Sequence, residues 1–467
     1  MNQSPKQPKK SDSFSALPLK KALLSTLDSL GYTTMTPIQA QSLPFIINNK
    51  DVIGQAKTGS GKTAAFGLGL LNKLDVKRFR IQTLVLCPTR ELADQVAKEI
   101  RTLARGIHNI KVLTLCGGTP MGPQIGSLEH GAHIVVGTPG RIVDHLFKNR
   151  LDLRNVDTLI LDEADRMLEM GFQQDLDAIL QEAPIERQTL LFSATFPEKI
   201  KSMTESIMSS PEHIVVKEQH TRNTIEQHFY HITDDKKRRN ALKLLLLKHK
   251  PESAIVFCNT KRDTQQVSDD LADFGFSVAA LHGDLEQRDR EKVLLKFSNK
   301  STNILVATDV AARGLDIESL DAVFNYHLAF DVEVHTHRVG RTGRAGSWGK
   351  AFTFYEEHNY TLAMIEEALG RDAGSERLPD EAMLSQKPPK AVMRTIQIDG
   401  GKKDKLRPGD ILGALTAGKE FNGKQIGKIN VKDITAFVAV ERAISKRATQ
   451  KINTEKMKNR KFRARLL

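Results

Sequence analysis

Short apolar runs alternate with longer amphipathic stretches along most of the chain, and the alternation occurs in two successive blocks. The first block follows an apolar run at residues 51–54, and the second begins at Ala254. Strands that alternate with helices are typical of a parallel sheet covered on both faces, so the sequence predicts two α/β domains in tandem. The predicted strands are Thr83–Cys87, Lys111–Cys116, His133–Gly137, Thr158–Asp162 and Thr189–Ser193 in the first block, and Ala254–Cys258, Ser277–Leu281, Asn303–Thr308, Ala322–Tyr326 and Ala351–Tyr355 in the second.

A different order of elements follows near the C-terminal end. Four strands and two helices alternate there as βαββαβ, which is the order of ferredoxin-like domains and of RNA-recognition-motif (RRM) domains. The predicted strands are Thr395–Ile398, Ile426–Val431, Thr435–Val440 and Phe462–Leu466, and the predicted helices are Pro408–Thr416 and Glu441–Ile452. At the other end of the chain, an amphipathic pattern predicts a helix from Phe14 to Leu30.

Composition narrows the class of protein. The chain has 467 residues, of which 40% are hydrophobic, enough for about three domains of ~150 residues each. No apolar run approaches the ~18 residues of a membrane span, and residues 1–13 lack the apolar segment of a secretory signal. We therefore expect a cytoplasmic protein.

The three cysteines support the same expectation. Cys87, Cys116 and Cys258 each close an apolar, strand-like run. Their spacing suits neither a zinc site nor a disulfide framework. Buried, reduced thiols are the favoured interpretation, and they agree with a reducing compartment.

The positive charge is concentrated at the C-terminal end. The net charge is 69 − 56 = +13, and residues 394–467 alone contain 19 Lys/Arg and 7 Asp/Glu, so 19 − 7 = +12. A basic run can be a solvated face or a disordered tail. Apolar segments recur between these charges, however, so the pattern predicts a folded module with a surface for a polyanion.

A glycine-rich stretch at residues 56–63, with the sequence AKTGSGKT, separates the first strand from a small, apolar helix start. Backbone N–H groups and the positive end of a helix dipole suit phosphate oxygens in such a loop. Lys62 would reach the outer phosphates, and the Thr63 hydroxyl would hold Mg²⁺. Ala56 replaces the usual first glycine, and an ordinary glycine-rich loop is the alternative interpretation.

Two further charged motifs favour the phosphate-binding interpretation. The acidic sequence DEAD at residues 162–165 follows a buried strand. One carboxylate there would order Mg²⁺ through water and its neighbour would activate the attacking water, although a helix N-terminus is the alternative. The sequence HRVGRTGR at residues 337–344 contains three arginines. It is either a solvated basic turn or an arginine finger that reaches the γ-phosphate from across a cleft.

Taken together, these motifs resemble those of the DEAD-box RNA helicases, over about residues 14–370. The resemblance implies two RecA-like domains, ATP and Mg²⁺ as cofactors, and local opening of short RNA duplexes. The residues implied for catalysis are Lys62, Asp162, Glu163, Arg341 and Arg344. Those implied for nucleotide binding are Phe14, Gln39, Ala56, Thr58, Gly59, Gly61, Lys62, Thr63 and Asp316. Thr63 and Asp162 are implied for Mg²⁺, and Ser193 and Thr195 for coupling hydrolysis to strand separation.

The same resemblance implies contacts with the RNA backbone in both α/β domains. Hydroxyls, arginines and glycine N–H groups grip phosphates without reading bases, so we expect the core to be nearly indifferent to sequence. The implied residues are Arg90, Gly117, Gly118, Thr138 and Arg141 in the first domain, and Thr260, Gln287, Arg290 and Thr308 in the second.

The basic end resembles that of the bacterial DEAD-box helicases that carry an RNA-binding domain. Its third strand lacks the paired aromatics that stack bases in a standard RRM, so we expect recognition through basic loops and helix ends. The expected RNA-binding residues are Lys402, Lys403, Lys405, Arg463 and Arg465. For that subgroup the resemblance implies a hairpin of large-subunit ribosomal RNA as the target, pre-ribosomal particles as partners and a role in ribosome assembly.

The resulting prediction is an α/β protein with an α+β, RRM-like C-terminal domain. Its expected divisions are a tail at 1–13, RecA-like domains at 14–217 and 225–370, linkers at 218–224 and 371–393, and the basic domain at 394–467. Three alternatives to the ribosomal helicase are a general RNA chaperone of cold shock or RNA decay, an ATP-gated RNA clamp, and a passive basic RNA-binder.

Overall fold

The computed structural model describes residues 13–56, 59–216, 225–312, 320–343, 348–357 and 359–467, without the side chain of Lys419. By their internal contacts the described residues form two compact units, one before residue 217 and one after residue 224. Within the described ranges, no helix is long and apolar enough to cross a membrane.

The first unit is a parallel α/β domain, as predicted. Its seven-stranded sheet has the strand order β3-β4-β2-β5-β6-β1-β7, and every neighbouring pair is parallel. The strands are β1 (Val52–Gln55), β2 (Thr83–Leu86), β3 (Val112–Leu115), β4 (Ile134–Gly137), β5 (Thr158–Asp162), β6 (Gln188–Ser193) and β7 (Glu212–Val215). The helices are α1 (Lys21–Ser29), α2 (Pro37–Ile47), α3 (Lys62–Lys73), α4 (Arg90–Leu103), α5 (Met121–Glu129), α6 (Pro139–Phe147), α7 (Ala164–Glu169), α8 (Gln173–Glu182) and α9 (Glu198–Ile207).

The start of this unit corrects one prediction. The helix expected from Phe14 begins only at Lys21, and Phe14–Ala16 form a separate 3₁₀ turn. Pro18 explains the break, because a proline disfavours helical backbone in the residue before it, and Leu17 is accordingly extended.

The second unit begins with another parallel α/β domain. Its six-stranded sheet has the order β10-β11-β9-β12-β13-β8, again with parallel neighbours. The strands are β8 (Ile225–His231), β9 (Ala254–Phe257), β10 (Val278–Leu281), β11 (Ile304–Ala307), β12 (Ala322–Asn325) and β13 (Gly349–Tyr355). The helices are α10 (Asp235–His249), α11 (Lys261–Phe274), α12 (Gln287–Ser298), α13 (Asp309–Ala312), α14 (Val332–Val339) and α15 (Tyr360–Leu369).

The C-terminal part of the second unit has the predicted βαββαβ order. Its antiparallel sheet runs β15-β16-β14-β17. One prediction is corrected: Glu441 ends a strand and Arg442–Ile444 form a 3₁₀ turn, so the last helix begins at Ser445. The elements are β14 (Met393–Ile398), α16 (Pro408–Thr416), β15 (Ile426–Val431), β16 (Ala436–Glu441), α17 (Ser445–Thr454) and β17 (Ala464–Leu466).

Both faces of this C-terminal sheet are covered. Ile396, Val438 and their neighbours pack in a core with helices α16 and α17. On the opposite face, Thr395 and Phe437 are also buried. Asn299, just after α12, donates from Nδ2 to Thr395 Oγ1 at 2.8 Å, so the end of α12 in the α/β domain packs against that face.

The cysteine prediction is confirmed. Cys87, Cys116 and Cys258 are buried and free. Burial raises the pKa of all three thiols, that of Cys116 to about 12, so they stay protonated and are unreactive at neutral pH.

Candidate functional site

The glycine-rich loop joins β1 to α3 at the carboxyl end of the first sheet. Gly59 and Gly61 have positive φ angles of 82° and 93°, which glycine adopts without steric cost. A Cβ on Gly61 would lie 2.5 Å from Gln39 Nε2, so a side chain there would displace Gln39. Thr58 lies outside the described residues. The loop therefore needs glycine at 61 for both its backbone and its neighbour.

Lys62 and Gln39 hold the loop from inside the protein. Lys62 is buried and donates from Nζ to Ala56 O at 2.5 Å. Gln39 donates from Nε2 to Gly61 O at 3.1 Å, and its Oε1 accepts from Thr36 N at 2.9 Å. The two side chains brace both ends of the loop, and a phosphate oxygen can replace the Ala56 carbonyl as the acceptor for Lys62.

Phe14 and Thr63 differ in exposure. The Phe14 ring belongs to the main core of the first domain and is only 4% exposed, which leaves little of it for stacking on a base. Thr63 is half-buried at the start of α3, where a hydroxyl is available to a metal-bound phosphate.

The acidic motif begins on the last residue of β5. Asp162 is buried, and burial, opposed by Lys62 and reinforced by Glu163, raises its pKa to about 7. Glu163 is buried with φ +53°, a left-handed backbone that costs a non-glycine residue about 1–2 kcal/mol. Strained residues of this kind are frequent at active sites, and this one marks the turn from β5 into α7.

Asp165 carries a role that the sequence did not reveal. Its Oδ2 accepts hydrogen bonds from Thr195 N at 3.0 Å and from Thr195 Oγ1 at 2.9 Å. Ser193, at the end of β6, is buried, and its backbone oxygen accepts from Ala56 N at 3.0 Å. The residues predicted to couple hydrolysis to strand separation are thus tied to the acidic motif and to the phosphate loop.

The predicted Mg²⁺ site has a suitable but incomplete donor set. Asp162 and Thr63 supply a carboxylate and a hydroxyl, the hard oxygen ligands that Mg²⁺ prefers. No group of three or more His, Cys, Asp or Glu side chains among the described residues could hold a metal by itself. The remaining ligands would have to be nucleotide phosphates and water, which is usual for Mg²⁺.

The three predicted RNA-binding segments of the first domain lie together. Arg90 donates to Gly118 O at 3.4 Å, and Gly117 N–H donates to Thr138 Oγ1 at 3.4 Å. Arg141, at the start of α6, donates to Thr119 O at 3.2 Å. These bonds gather two arginines, a threonine and a glycine turn at the strand ends, a group suited to gripping a phosphate backbone.

The second α/β domain brings some of its predicted RNA-binding residues together. Arg290 donates from Nη2 to Ala311 O at 2.9 Å, and Ala311 N–H donates to Thr308 Oγ1 at 3.3 Å. Gln287, one turn before Arg290, begins α12. Thr260 caps α11 by accepting from Asp263 N at 3.1 Å.

Arg338 organises the arginine motif, although no role was predicted for it. It is 1% exposed and its guanidinium donates to both carboxylate oxygens of Asp309, at 2.7 and 2.6 Å. It also donates to His327 O at 2.7 Å and to Asn259 Oδ1 at 2.9 Å. Arg341 N–H donates to Arg338 O at 3.1 Å. Arg338 thus fixes the turn that presents the predicted finger.

Two other predicted nucleotide contacts of this domain, Arg344 and Asp316, lie outside the described residues. Arg341 is described and buried. The roles of all three stay predictions.

The predicted basic residues of the C-terminal domain are exposed and adjacent. Lys402, Lys403 and Lys405 lie on the loop after β14, and Arg463 and Arg465 lie on or next to β17. Asp399 N–H donates to Arg463 O at 2.8 Å, which joins the start of that loop to the edge strand. Lys402 N–H and Lys403 N–H donate to Lys432 O at 2.8 Å and Asp433 O at 2.9 Å, so the lysine loop also contacts the turn between β15 and β16. The five exposed side chains therefore lie on a loop and an edge strand that meet at Asp399.

Comparison with known proteins gives consistent results along the whole chain. The DEAD/DEAH box helicase family matches residues 36–203, the helicase conserved C-terminal domain matches 236–346, and the DbpA RNA binding domain matches 395–466. The ATP-dependent RNA helicase DbpA of Escherichia coli is 50% identical over 450 residues, which cover 96% of this chain and 98% of that protein.

More distant relatives match the two α/β domains. The DEAD-box ATP-dependent RNA helicase CshA of Geobacillus kaustophilus is 46% identical over 341 residues, 73% of each chain. The solved structure of S. cerevisiae Dbp5 bound to RNA and ADP BeF3 superposes with a TM-score of 0.68 at 27% identity, covering 78% of this chain and 94% of that one.

Proposed function

This chain belongs to the DEAD-box ATP-dependent RNA helicases, of the DbpA type, and from that premise we propose that it remodels large-subunit ribosomal RNA during assembly of the large ribosomal subunit. Its C-terminal domain would bind an RNA hairpin, and its two helicase domains would use ATP to open a nearby short duplex. We propose that this takes place in the cytoplasm, on pre-ribosomal particles.

For ATP, we propose that the phosphate loop at residues 56–63 and Lys62 bind the phosphates, and that Gln39 reads the adenine edge. Mg²⁺ bound at Thr63 and Asp162 would neutralise phosphate charge, which is the chemistry such an ion supplies in phosphoryl transfer. Glu163 would orient and deprotonate the attacking water. Because burial raises the pKa of Asp162 to about 7, a neighbouring cation would favour its ionised form.

For stabilisation of the transition state, we propose that Arg341 and Arg344 contribute positive charge to the γ-phosphate when both helicase domains engage ATP and RNA. Arg338 would be a positioning residue, since its buried guanidinium donates to Asp309, Asn259 and the His327 carbonyl. The hydrogen bonds from Thr195 to Asp165 would transmit the state of the nucleotide to the RNA-facing strand ends.

One observation favours a structured RNA as the target. The sheet face that RRM domains use to stack single-stranded bases is buried here at Thr395 and Phe437. The exposed basic residues are on the loop after β14 and on the edge strand. Such an edge can grip the backbone of a folded hairpin, whereas splayed bases would have no open aromatic surface.

The direct test is ATP hydrolysis by the full chain under three conditions: without RNA, with an unrelated RNA, and with large-subunit ribosomal RNA at equal nucleotide concentration. We expect the hydrolysis rate to be lowest without RNA. We also expect the concentration of ribosomal RNA that gives half-maximal stimulation to be lower than that of the unrelated RNA. Equal half-maximal concentrations for the two RNAs would contradict the ribosomal target and favour a general RNA chaperone. One rate under all three conditions would contradict RNA-gated hydrolysis itself.

A second candidate is an ATP-gated clamp whose work is binding rather than hydrolysis. The observation that favours a clamp is the set of residues predicted to bind the RNA backbone, because a clamp needs them as much as a helicase does. A clamp would keep its function in Glu163→Gln, which should bind ATP and RNA without hydrolysis. Failure of that variant in strand separation would support the helicase.

A further inference from the structure

The seam between the second helicase domain and the C-terminal domain contains three cations from different elements. Lys296 lies in the last turn of α12, Arg394 is the second residue of β14, and Arg442 follows β16 directly. All three are half-buried rather than freely exposed. Their positive charges therefore lie at the junction of two domains, where water solvates them less well than at the surface.

Hydrogen bonds fix the seam around these side chains. Thr395, next to Arg394, bonds to Asn299 at 2.8 Å and to Ser301 at 2.8 Å. Arg442 donates from its backbone N–H to Val392 O at 2.8 Å and from Nε to Ala391 O at 2.6 Å.

A charged contact crosses the same seam. Lys432 forms an ion pair with Glu291 of α12 and lies 5.9 Å from the centre of the Phe437 ring. This contact and the hydrogen bonds of Thr395 join α12 to the C-terminal sheet.

Within the part of the chain that the structure describes, no carboxylate forms an ion pair with the cluster. Neither Lys296, Arg394 nor Arg442 forms an ion pair with a carboxylate there, whereas nearby Lys300 pairs with Glu252 at 3.1 Å. Burial, and then the charge of Arg394, lowers the pKa of both Lys296 and Arg442. Like charges that crowd together without an acidic partner favour binding of an anion.

A purely structural role accounts for only part of this arrangement. The positive charge of Lys296 is stabilised by the negative, C-terminal end of the α12 dipole. The Arg442 side chain donates a hydrogen bond to the backbone oxygen of Ala391. Neither role requires Arg394 to bring a third positive charge beside them. Because the cluster borders the matched RNA-binding domain of residues 395–466, the anion that suits it is an RNA phosphate group.

We propose that Lys296, Arg394 and Arg442 form a composite phosphate-binding site for the RNA backbone, in which RNA held by the C-terminal domain also contacts the second helicase domain. The site binds without reading bases, because ammonium and guanidinium groups contact phosphate oxygens. It would hold the bound RNA at a fixed position relative to α12, whose first turn carries Gln287 and Arg290. This inference rests on RNA binding in the proposed function, but not on which RNA is the target.

The test is the salt dependence of RNA binding by the full chain without nucleotide, with a fluorescent hairpin RNA carrying single-stranded extensions as the probe. Each lost phosphate contact lowers the slope of log K against log salt by roughly 0.7–0.9. We expect K296Q/R394Q to lower the slope by about 1.4–1.8 relative to the unmodified chain. The charge-retaining K296R/R394K should keep most of the slope.

Lys300→Gln is the matched control, because it removes one positive charge at the same seam from a residue that is already paired. Its slope should equal that of the unmodified chain. Should the double variant unfold, K296Q alone is expected to lower the slope by roughly 0.7–0.9.

An unchanged slope in the folded K296Q variant, or an equal fall in K300Q, would overturn the phosphate site. Absence of hairpin binding by the unmodified chain at low salt would instead overturn the proposed function.

Discussion

The two helicase domains share a parallel sheet but hold the polar residues at their strand ends in different ways. In the first, Lys62 has one hydrogen bond, to a loop carbonyl, and a bound phosphate can replace it. In the second, the guanidinium of Arg338 donates to Asp309, His327 O and Asn259. The first domain keeps reactive groups available to a ligand, whereas the second builds a saturated frame that presents Arg341.

The largest expected effect concerns the catalytic residues of the first helicase domain. Glu163→Gln should lower RNA-stimulated ATP hydrolysis by about 10²–10⁴-fold, the usual contribution of a general base, while ATP and RNA still bind. Hydrolysis and equilibrium binding measured on the same preparation check this. Glu182→Gln, an exposed residue at the end of α8, is the control and should hydrolyse ATP normally. Normal hydrolysis by Glu163→Gln would remove that residue from the mechanism.

The next effect concerns the saturated frame. Arg338→Gln leaves the half-buried Asp309 without its cation, and breaking a buried ion pair typically costs about 3–5 kcal/mol. Urea unfolding followed by far-UV circular dichroism measures this cost. Asp309→Asn combined with Arg338→Gln should cost less than the sum of the two single changes, since the partners are coupled. Additive costs would show that the pair does not act as a unit.

The frame also predicts a dependence of stability on pH. His335 on α14 is buried, and burial followed by the charge of Arg338 lowers its pKa to about 4. The folded pKa lies below the unfolded value of about 6.5, so stability is complete above pH 6.5 and is lost as the pH falls towards 4. At pH 5 the loss should be about 2 kcal/mol relative to pH 7.5.

His335→Gln should abolish this part of the acid sensitivity. Its free energy of unfolding, measured by urea unfolding and circular dichroism at both pH values, should change less than that of the unmodified chain. His249, whose pKa burial also lowers to about 4, remains in the variant and keeps the rest of the effect. Equal acid sensitivity in both proteins would contradict a neutral, buried His335.

The smallest expected effect concerns the link between the acidic motif and β6. Thr195→Val removes the hydroxyl bond to Asp165 but leaves the backbone bond. Hydrogen bonds to charged groups contribute about 1.5–3 kcal/mol, so we expect strand separation per ATP hydrolysed to fall by about tenfold. Thr204→Val is the control, because the hydroxyl that it removes donates to Lys201 O within the same helix. If Thr195→Val separates as many strands per ATP hydrolysed as the unmodified chain, this contact has no role in coupling hydrolysis to strand separation.

Buried strands were the most predictable part of the fold. Thr158–Asp162 was predicted with the correct bounds because a fully buried parallel strand is a continuous apolar run between polar residues. The edge strands Glu212–Val215 and Ile225–His231 were missed. Polar side chains interrupt both, and only pairing with β1 and β13 identifies them as strands.

The candidate site was predictable where its residues form a local motif and not where they meet through the fold. Spacing alone identified Lys62 and Asp162. No sequence pattern pairs Asp165 with Thr195, 30 residues away, or Arg338 with Asp309, 29 residues away. Arg338 could have been suspected only because it lies inside the arginine motif.

The central claim is that a nearly sequence-indifferent ATPase core is directed by its C-terminal domain. The most direct test compares the full chain with a chain that ends at Gly370, using the RNA concentration that gives half-maximal ATP hydrolysis. The full chain should need much less large-subunit ribosomal RNA than unrelated RNA, and the shortened chain should need equal amounts of both. An equal preference for ribosomal RNA in the two chains would contradict the account.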